Sequence, residues 1–289
     1  MHKTSIYFKT KTNLINKLEK NESIVTLKKQ SFLKKLPFFK KEYADIYFHS
    51  GILDNEAILN IKNSKKTIVN SKHLKADILN KIDILEEKIE VIYPSINMLY
   101  KKPKEVKEKL CKEFDIDSTP KIILFTAKNL KSAGIKEFFE IISSLGSMNK
   151  QIIISSDKNQ ITNLKFLLSK YNFGNEVLLL EDYKNVNDLF LAADIFILPT
   201  HNKSFATNIL KAMYCKCAVM ISSTNYASEL LDVFATMESP SDSATSYKVD
   251  ALLSRNSDLK YIQKENRKIA KEYELEKNLK KLISIIETI

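Results

Sequence analysis

Between Ile195 and Cys217 the chain reads IFILPTHNKSFATNILKAMYCKC, in which Lys203 and Lys211 stand eight residues apart. Ile195 to Leu198 are apolar and β-prone, as a strand buried on both faces requires. Pro199 ends that strand, because it has no N–H to give a ladder. Thr200 to Lys203 make a polar loop, and Ser204 suits the N-cap of a helix starting near Phe205. Ile209, Leu210, Ala212, Met213 and Cys217 then recur at helical spacing, with Asn208 and Lys211 on the opposite face. A polar loop that feeds a helix N-terminus at the carboxyl end of a parallel strand is where open α/β sheets hold ligands. The free N–H groups and the helix dipole favour an anion there, above all phosphate.

Other groups have chemical potential too. His49, in IYFHSG, falls at a strand end and reads equally as a polar ligand contact or as a structural histidine. Cys111, Cys215 and Cys217 make an odd count without a disulfide framework, which fits a reducing compartment. Cys215 and Cys217 have no second His/Cys pair nearby, so no metal site is expected. KKLPFFKK, from Lys34 to Lys41, sets two aromatics and a leucine between lysine pairs. It suits an anionic membrane interface, or its apolar residues are core and the lysines flank them.

The elements that must position these groups alternate in type. SIYFK, ESIVTLK, ADIYFHS, KTIVNS and KIEVIYPS read as strands in the first hundred residues, with helices after Gly51 and Ser71. KIILFTA, QIIISS, EVLLLE, IFILPT and AVMISS are apolar strands of the second half, separated by helical stretches. Such βαβ alternation predicts an α/β chain with two Rossmann-like doubly wound parallel sheets. The charged, proline-bearing KKPKEVKEKLCKEFDIDSTP reads as a linker and a short helix. It sets the predicted domains at 1–102 and 103–289.

Composition narrows the classes further. The 289 residues, 44% hydrophobic, can fill two ordinary cores. No apolar run approaches the ~18 residues needed to span a bilayer, and MHKTSIYFKTKT lacks the apolar centre of a signal peptide. A cytoplasmic place is therefore expected, with peripheral contact at the inner face of the membrane as the finer expectation. The net charge of +11 is nearly all lysine. It reads as a solvated basic surface, as attraction to anionic lipid, or as nucleic-acid binding. No stacking-aromatic motif, zinc module or helix-turn-helix supports the last, so no nucleic-acid partner is expected. The missing G-x-G-x-x-G argues against a dinucleotide-dependent dehydrogenase.

The stretch from Pro199 resembles the donor-site segment of retaining glycosyltransferases of the GT-B fold, the family-four type, P-S-x-x-E-G-F-G-x-x-x-L-E-A. Pro199, Phe205, Leu210 and Ala212 match, while Lys203 and Lys211 stand in place of both glutamates. LFTAKNLKSAGIKEFFE, VLLLEDYKNVNDLFLAADIFILPT and SSTNYASELL are similar to three further segments of that family. VIYPSIN resembles the turn that closes its first domain, and the stretch from Leu259 resembles its closing helices, which cross back to that domain. The resemblance implies two domains facing across a cleft, the first one reduced.

It also implies a metal-independent transfer of a sugar from a nucleotide-sugar donor to a glycan or lipid-linked acceptor, without a cofactor. Surface polysaccharide or glycoconjugate synthesis is the implied setting. Lys128 stands where the family has a diphosphate-binding Arg, and Lys131 lies near Ala133, where a second cation is expected. The implied donor-binding set is Lys128, Lys131, Lys203, Ser204, Phe205, Ala206 and Lys211, with His49 as the implied acceptor-side or catalytic group. The altered glutamates leave a second class open, a catalytically lapsed relative that binds or regulates.

Overall fold

The structure, a computed structural model, describes residues 3–27, 42–147, 149–171 and 173–289. The Lys34–Lys41 segment lies outside the described residues. The chain divides into one unit of Met1–Asn97 with Tyr273–Ile289 and a second of Met98–Glu272.

The first unit runs β1 (Thr4–Phe8), α1 (Asn13–Leu18), β2 (Ile24–Thr26), β3 (Ile46–His49), α2 (Asn55–Asn63), β4 (Lys66–Val69), α3 (Lys72–Leu79) and β5 (Ile89–Val91). All five predicted strands form. They make one parallel sheet in the order β2-β1-β3-β4-β5. Side-chain caps start the helices: Thr12 accepts from Ile15 N, Asp54 from Ala57 N and Ser71 from Leu74 N.

The second unit begins with α4 (Pro103–Glu113), whose first turn tolerates Pro103 because that N–H has no partner in a helix. There follow β6 (Lys121–Thr126), α5 (Ile135–Ser143), β7 (Lys150–Ser156), α6 (Lys158–Leu168), β8 (Val177–Glu181), α7 (Val186–Ala192) and β9 (Ile195–Leu198). Then come α8 (Thr207–Tyr214), β10 (Ala218–Ser222), β11 (Thr236–Met237), α9 (Ala244–Ser254) and α10 (Asn256–Ala270). The parallel sheet has the order β11-β10-β9-β6-β7-β8. β6, β9 and β10 are apolar along their length because helices cover both faces. Phe125 and Phe138 are fully buried with ring centroids 4.7 Å apart, joining β6 to α5. The short β11 carries no pattern of its own and forms by extending the edge beside β10.

One domain boundary differs from the sequence reading, which runs the second domain to residue 289. The final helix α11 (Leu275–Ile286) belongs to the first unit. Leu282 is fully buried in the cluster of Ile6, Ile15, Ile46 and Ile92, with Leu275, Leu279 and Ile286 packed around it. Backbone bonds join Ile96 to Tyr273 and Leu275, and Asn278 Nδ2 donates to the Tyr93 carbonyl at 2.9 Å. The apolar stripe of α11 is unsatisfied locally and finds its partner at the other end of the chain, in the cluster of Ile6, Ile15 and Ile46. Cys215 and Cys217 are buried thiols; burial holds Cys215 up at about 12 and Cys217 well above its ordinary value. Both are inert.

Candidate functional site

The second sheet reverses direction at β6. The chain leaves β6 for β7 and β8, then returns to place β9 on the other flank of β6. A crevice opens at the carboxyl ends of two strands whose connections run opposite ways. Three loops reach it: 127–134 after β6, 199–206 after β9 and 223–230 after β10.

The first two loops touch at Gly134, whose φ is +83°. A Cβ there would lie 1.8 Å from the Pro199 carbonyl oxygen, so only glycine fits. Beside that contact the Ser132 carbonyl accepts from His201 N at 3.1 Å and from Thr200 Oγ1 at 3.1 Å. Gln160, near the start of α6, fixes the other end of the loop. Its Nε2 donates to the Lys128 carbonyl at 2.6 Å, and its Oε1 accepts from Leu130 N at 2.7 Å.

The third loop holds the second through Asn225, which is 1% exposed. Asn225 Nδ2 donates to the carbonyls of Asn202 and Ser204 at 2.8 and 2.7 Å. Its Oδ1 accepts from Ala206 N and Ala227 N at 3.1 and 3.0 Å. Two sequence expectations change here. Ser204 is not the N-cap: α8 begins at Thr207, Ala206 holds the cap position without a side-chain bond, and Asn225 does the tying. Asn208 does not face away with Lys211, since its Nδ2 donates to the Thr126 carbonyl at the end of β6, 3.2 Å away.

The expected donor residues gather on these loops. Lys128 and Lys131 are exposed on the first, Lys203 and Ser204 are exposed on the second, Phe205 is buried beneath it, and Lys211 is half-buried on α8. Among the described residues, no carboxylate pairs with Lys128, Lys131, Lys203 or Lys211. His201, which sequence reasoning missed, meets Glu137 at 2.9 Å. Gln160, Ser132 and Asn225 were missed as well. Their roles are tertiary, and only Asn225, a lone amide in a serine-rich loop, carried any local signal. A groove between α4 and α7 is lined by both signs of charge, with Lys101 on Asp188 at 2.7 Å, and has no preference for an anion. Among the described residues, no three His, Cys, Asp or Glu side chains gather to hold a metal ion.

In the first unit, His49 ends β3 and is 3% exposed. Its Nδ1 meets Tyr47 Oη at 3.3 Å, while its Nε2 is buried without a partner among the described residues. Lys9, Asp54 and Glu56 form ion pairs at the same strand ends, at 2.8 and 3.6 Å from the lysine. Burial, helped by the Lys9 charge, lowers the His49 pKa from 6.5 to about 4. An unfolded imidazole takes its proton near 6.5 and the folded one only near 4, so stability present above pH 6.5 drains away as pH falls between those values. The loss should reach about 3 kcal/mol by pH 4. Denaturant titrations at pH 7, 5.5 and 4 check it: His49→Gln should flatten the dependence, and an unchanged slope in that variant rules the assignment out.

Residues 106–269 match the sequence pattern of the glycosyl transferases group 1, over half of the chain. The chain belongs to that family. This glycosyl transferases group 1 member is 30% identical over 155 residues to an N,N'-diacetylbacillosaminyl-diphospho-undecaprenol alpha-1,3-N-acetylgalactosaminyltransferase of Campylobacter jejuni. That match takes in 51% of the chain and only 39% of the relative. A glycosyltransferase from Rickettsia africae has the same fold, with a TM-score of 0.73 at 20% identity over 98% of this chain and 89% of that one. Anabaena HepE in complex with UDP and glucose gives 0.71 at 15% identity over 84% of this chain and 71% of that one. The family match centres on the second unit, which carries the three converging loops.

Proposed function

We propose that the protein transfers a sugar from a nucleotide-sugar donor to a glycan or lipid-linked acceptor in glycoconjugate synthesis. The donor diphosphate lies at the carboxyl ends of β6 and β9. One observation carries this reading: the Gly134–Pro199 approach brings the lysine-bearing loops together at the switch point of the second sheet. Membership of the family supports it, as do two names: the Anabaena neighbour is described with UDP, and the Campylobacter relative is named for a diphospho-undecaprenol-linked sugar.

In the proposed step the donor's glycosidic C–O bond breaks and the diphosphate leaves with that electron pair. Lys128, Lys131, Lys203 and Lys211, with the N–H groups around Ser204, Phe205 and Ala206, stabilise the growing charge without a metal. The acceptor hydroxyl attacks the anomeric carbon and gives its proton to the departing diphosphate oxygen. His49 is the group we assign to the acceptor side, from its place at the carboxyl end of β3. Positioning and electrostatics supply the rate.

The experiment is a thermal-shift screen of the full chain with UDP, GDP, ADP and CDP, followed by transfer from the matching nucleotide sugar in the presence of EDTA. A nucleoside diphosphate at roughly 100 times its Kd should stabilise the fold by about 2.7 kcal/mol. No shift with any of the four at millimolar concentration rejects the donor site. No helix among the described residues is long and apolar enough to cross a membrane. We place the protein in the cytoplasm, meeting lipid-linked acceptors by peripheral contact through the lysines of KKLPFFKK. The parent should therefore sediment with anionic vesicles at low salt, and unchanged sedimentation after replacing those four lysines by glutamine would remove that contact.

A further inference from the structure

One buried side chain, Asn225, ties most of the 202–206 loop. Three successive carbonyls of the loop point to the β10 side. Asn202 and Ser204 carbonyls accept from Asn225 Nδ2 at 2.8 and 2.7 Å, and the Lys203 carbonyl accepts from Tyr226 N at 2.8 Å. The peptide bonds here are trans, so each C=O and the following N–H point in opposite directions. Pinning the carbonyls of Asn202 and Lys203 therefore turns the N–H groups of Lys203 and Ser204 away from β10. Among the described residues, no acceptor meets either N–H. Successive N–H groups on one side of a turn form a concavity that binds anions.

Asn225 spends its whole hydrogen-bonding capacity on this arrangement. Two N–H donors go to the loop carbonyls, and the two lone pairs of Oδ1 take Ala206 N and Ala227 N. It is 1% exposed. The α8 entry and the loop before it are thus tied to one side chain, which stands on the neighbouring loop and does not face the crevice.

We infer that Asn225 is a positioning residue, which presets the N–H groups of Lys203 and Ser204 as a nest for the donor's phosphate. The inference rests on the donor-site reading above and adds a residue that the loop's own sequence does not contain. Preorganised donors need not be ordered when the ligand arrives, so the effect falls on affinity. Asn225→Asp keeps the shape and the acceptor oxygen but loses both donors. Asn225→Ala loses everything. Ser228→Ala breaks a different bond in the same loop, Ser228 Oγ to the Ser223 carbonyl at 2.9 Å, and leaves 202–206 untouched.

The test uses the full chain. Hydrogen exchange of the 200–207 peptide and the affinities for UDP and inorganic pyrophosphate are measured in the parent and the three variants. Both Asn225 variants should exchange at least tenfold faster over 200–207 and bind both ligands at least tenfold more weakly, while Ser228→Ala behaves as the parent. Unchanged exchange, or faster exchange with unchanged affinity, overturns the role of Asn225 alone. A parent that binds no nucleoside diphosphate overturns the donor reading and this role together. Should the variants not fold, amide resonances of the parent decide. Those of Lys203 and Ser204 should move most as pyrophosphate is added, and static resonances at saturation overturn the nest.

Discussion

Gly134→Ala should destabilise the second unit by at least about 3 kcal/mol and abolish nucleoside diphosphate binding. Two costs combine. At φ +83° an L-residue pays of order 1–2 kcal/mol for the left-handed conformation. The new methyl carbon would also sit 1.8 Å from the Pro199 carbonyl oxygen, and backbone cannot yield as a side-chain tip can. The loops must separate, which pulls the Ser132 carbonyl from His201 N and Thr200 and so opens the crevice. A loss of 3 kcal/mol should lower the melting temperature by about 6–12 °C in a unit of this size. Gly174→Ala is the matched comparison, because Gly174 has φ +52° but open space where a Cβ would go. It should lose only the conformational part. If Gly134→Ala melts no lower than Gly174→Ala, the two loops do not meet as described.

The strands were legible because burial on both faces writes itself as runs such as IILF and FIL. Their order was not, since nothing in β9 itself says that it returns to the flank of β6. The helix starts divided by mechanism. Thr12, Asp54 and Ser71 cap locally, within three residues. The start of α8 is fixed by Asn225, from another loop, so Ser204 drew the cap by local rule and does not hold it. For α11 the resemblance already implied a return to the first domain, while its partner residues, the cluster around Ile6 and Ile46, are remote in sequence. At the site, the cations were found by residue type. Gln160 and Ser132, which shape the loops that carry them, act through a side-chain amide and a backbone carbonyl that look ordinary in sequence, and Asn225 is marked only as a lone amide among serines. Positioning groups of this kind become visible only when their partners are placed.

The lysines at 203 and 211 decide what the crevice can hold. Lys203 is exposed on a loop tied at three carbonyls, and Lys211 is half-buried one turn into α8. A protonated lysine has three donors and no acceptor, so neither can receive a bond from a sugar hydroxyl. Like charges on one rim repel unless solvent or an anion lies between them. We therefore expect both to serve an anion, either the diphosphate or a carboxylate on the sugar. Lys203→Glu and Lys211→Glu should each weaken nucleoside diphosphate binding by about tenfold, or 1.4 kcal/mol. If the two act independently, the double variant should lose about a hundredfold. Calorimetric titration with the diphosphate identified in the thermal screen measures all three, with melting temperatures to show that the fold survives. The direction of the result separates two histories of the site. Weakened binding marks a working site whose charge has been inverted to suit its ligand. If the double variant binds a neutral nucleotide sugar better than the parent and begins to transfer it, the lysines are what silenced an ordinary donor site, and the parent is a binding protein on a transferase frame.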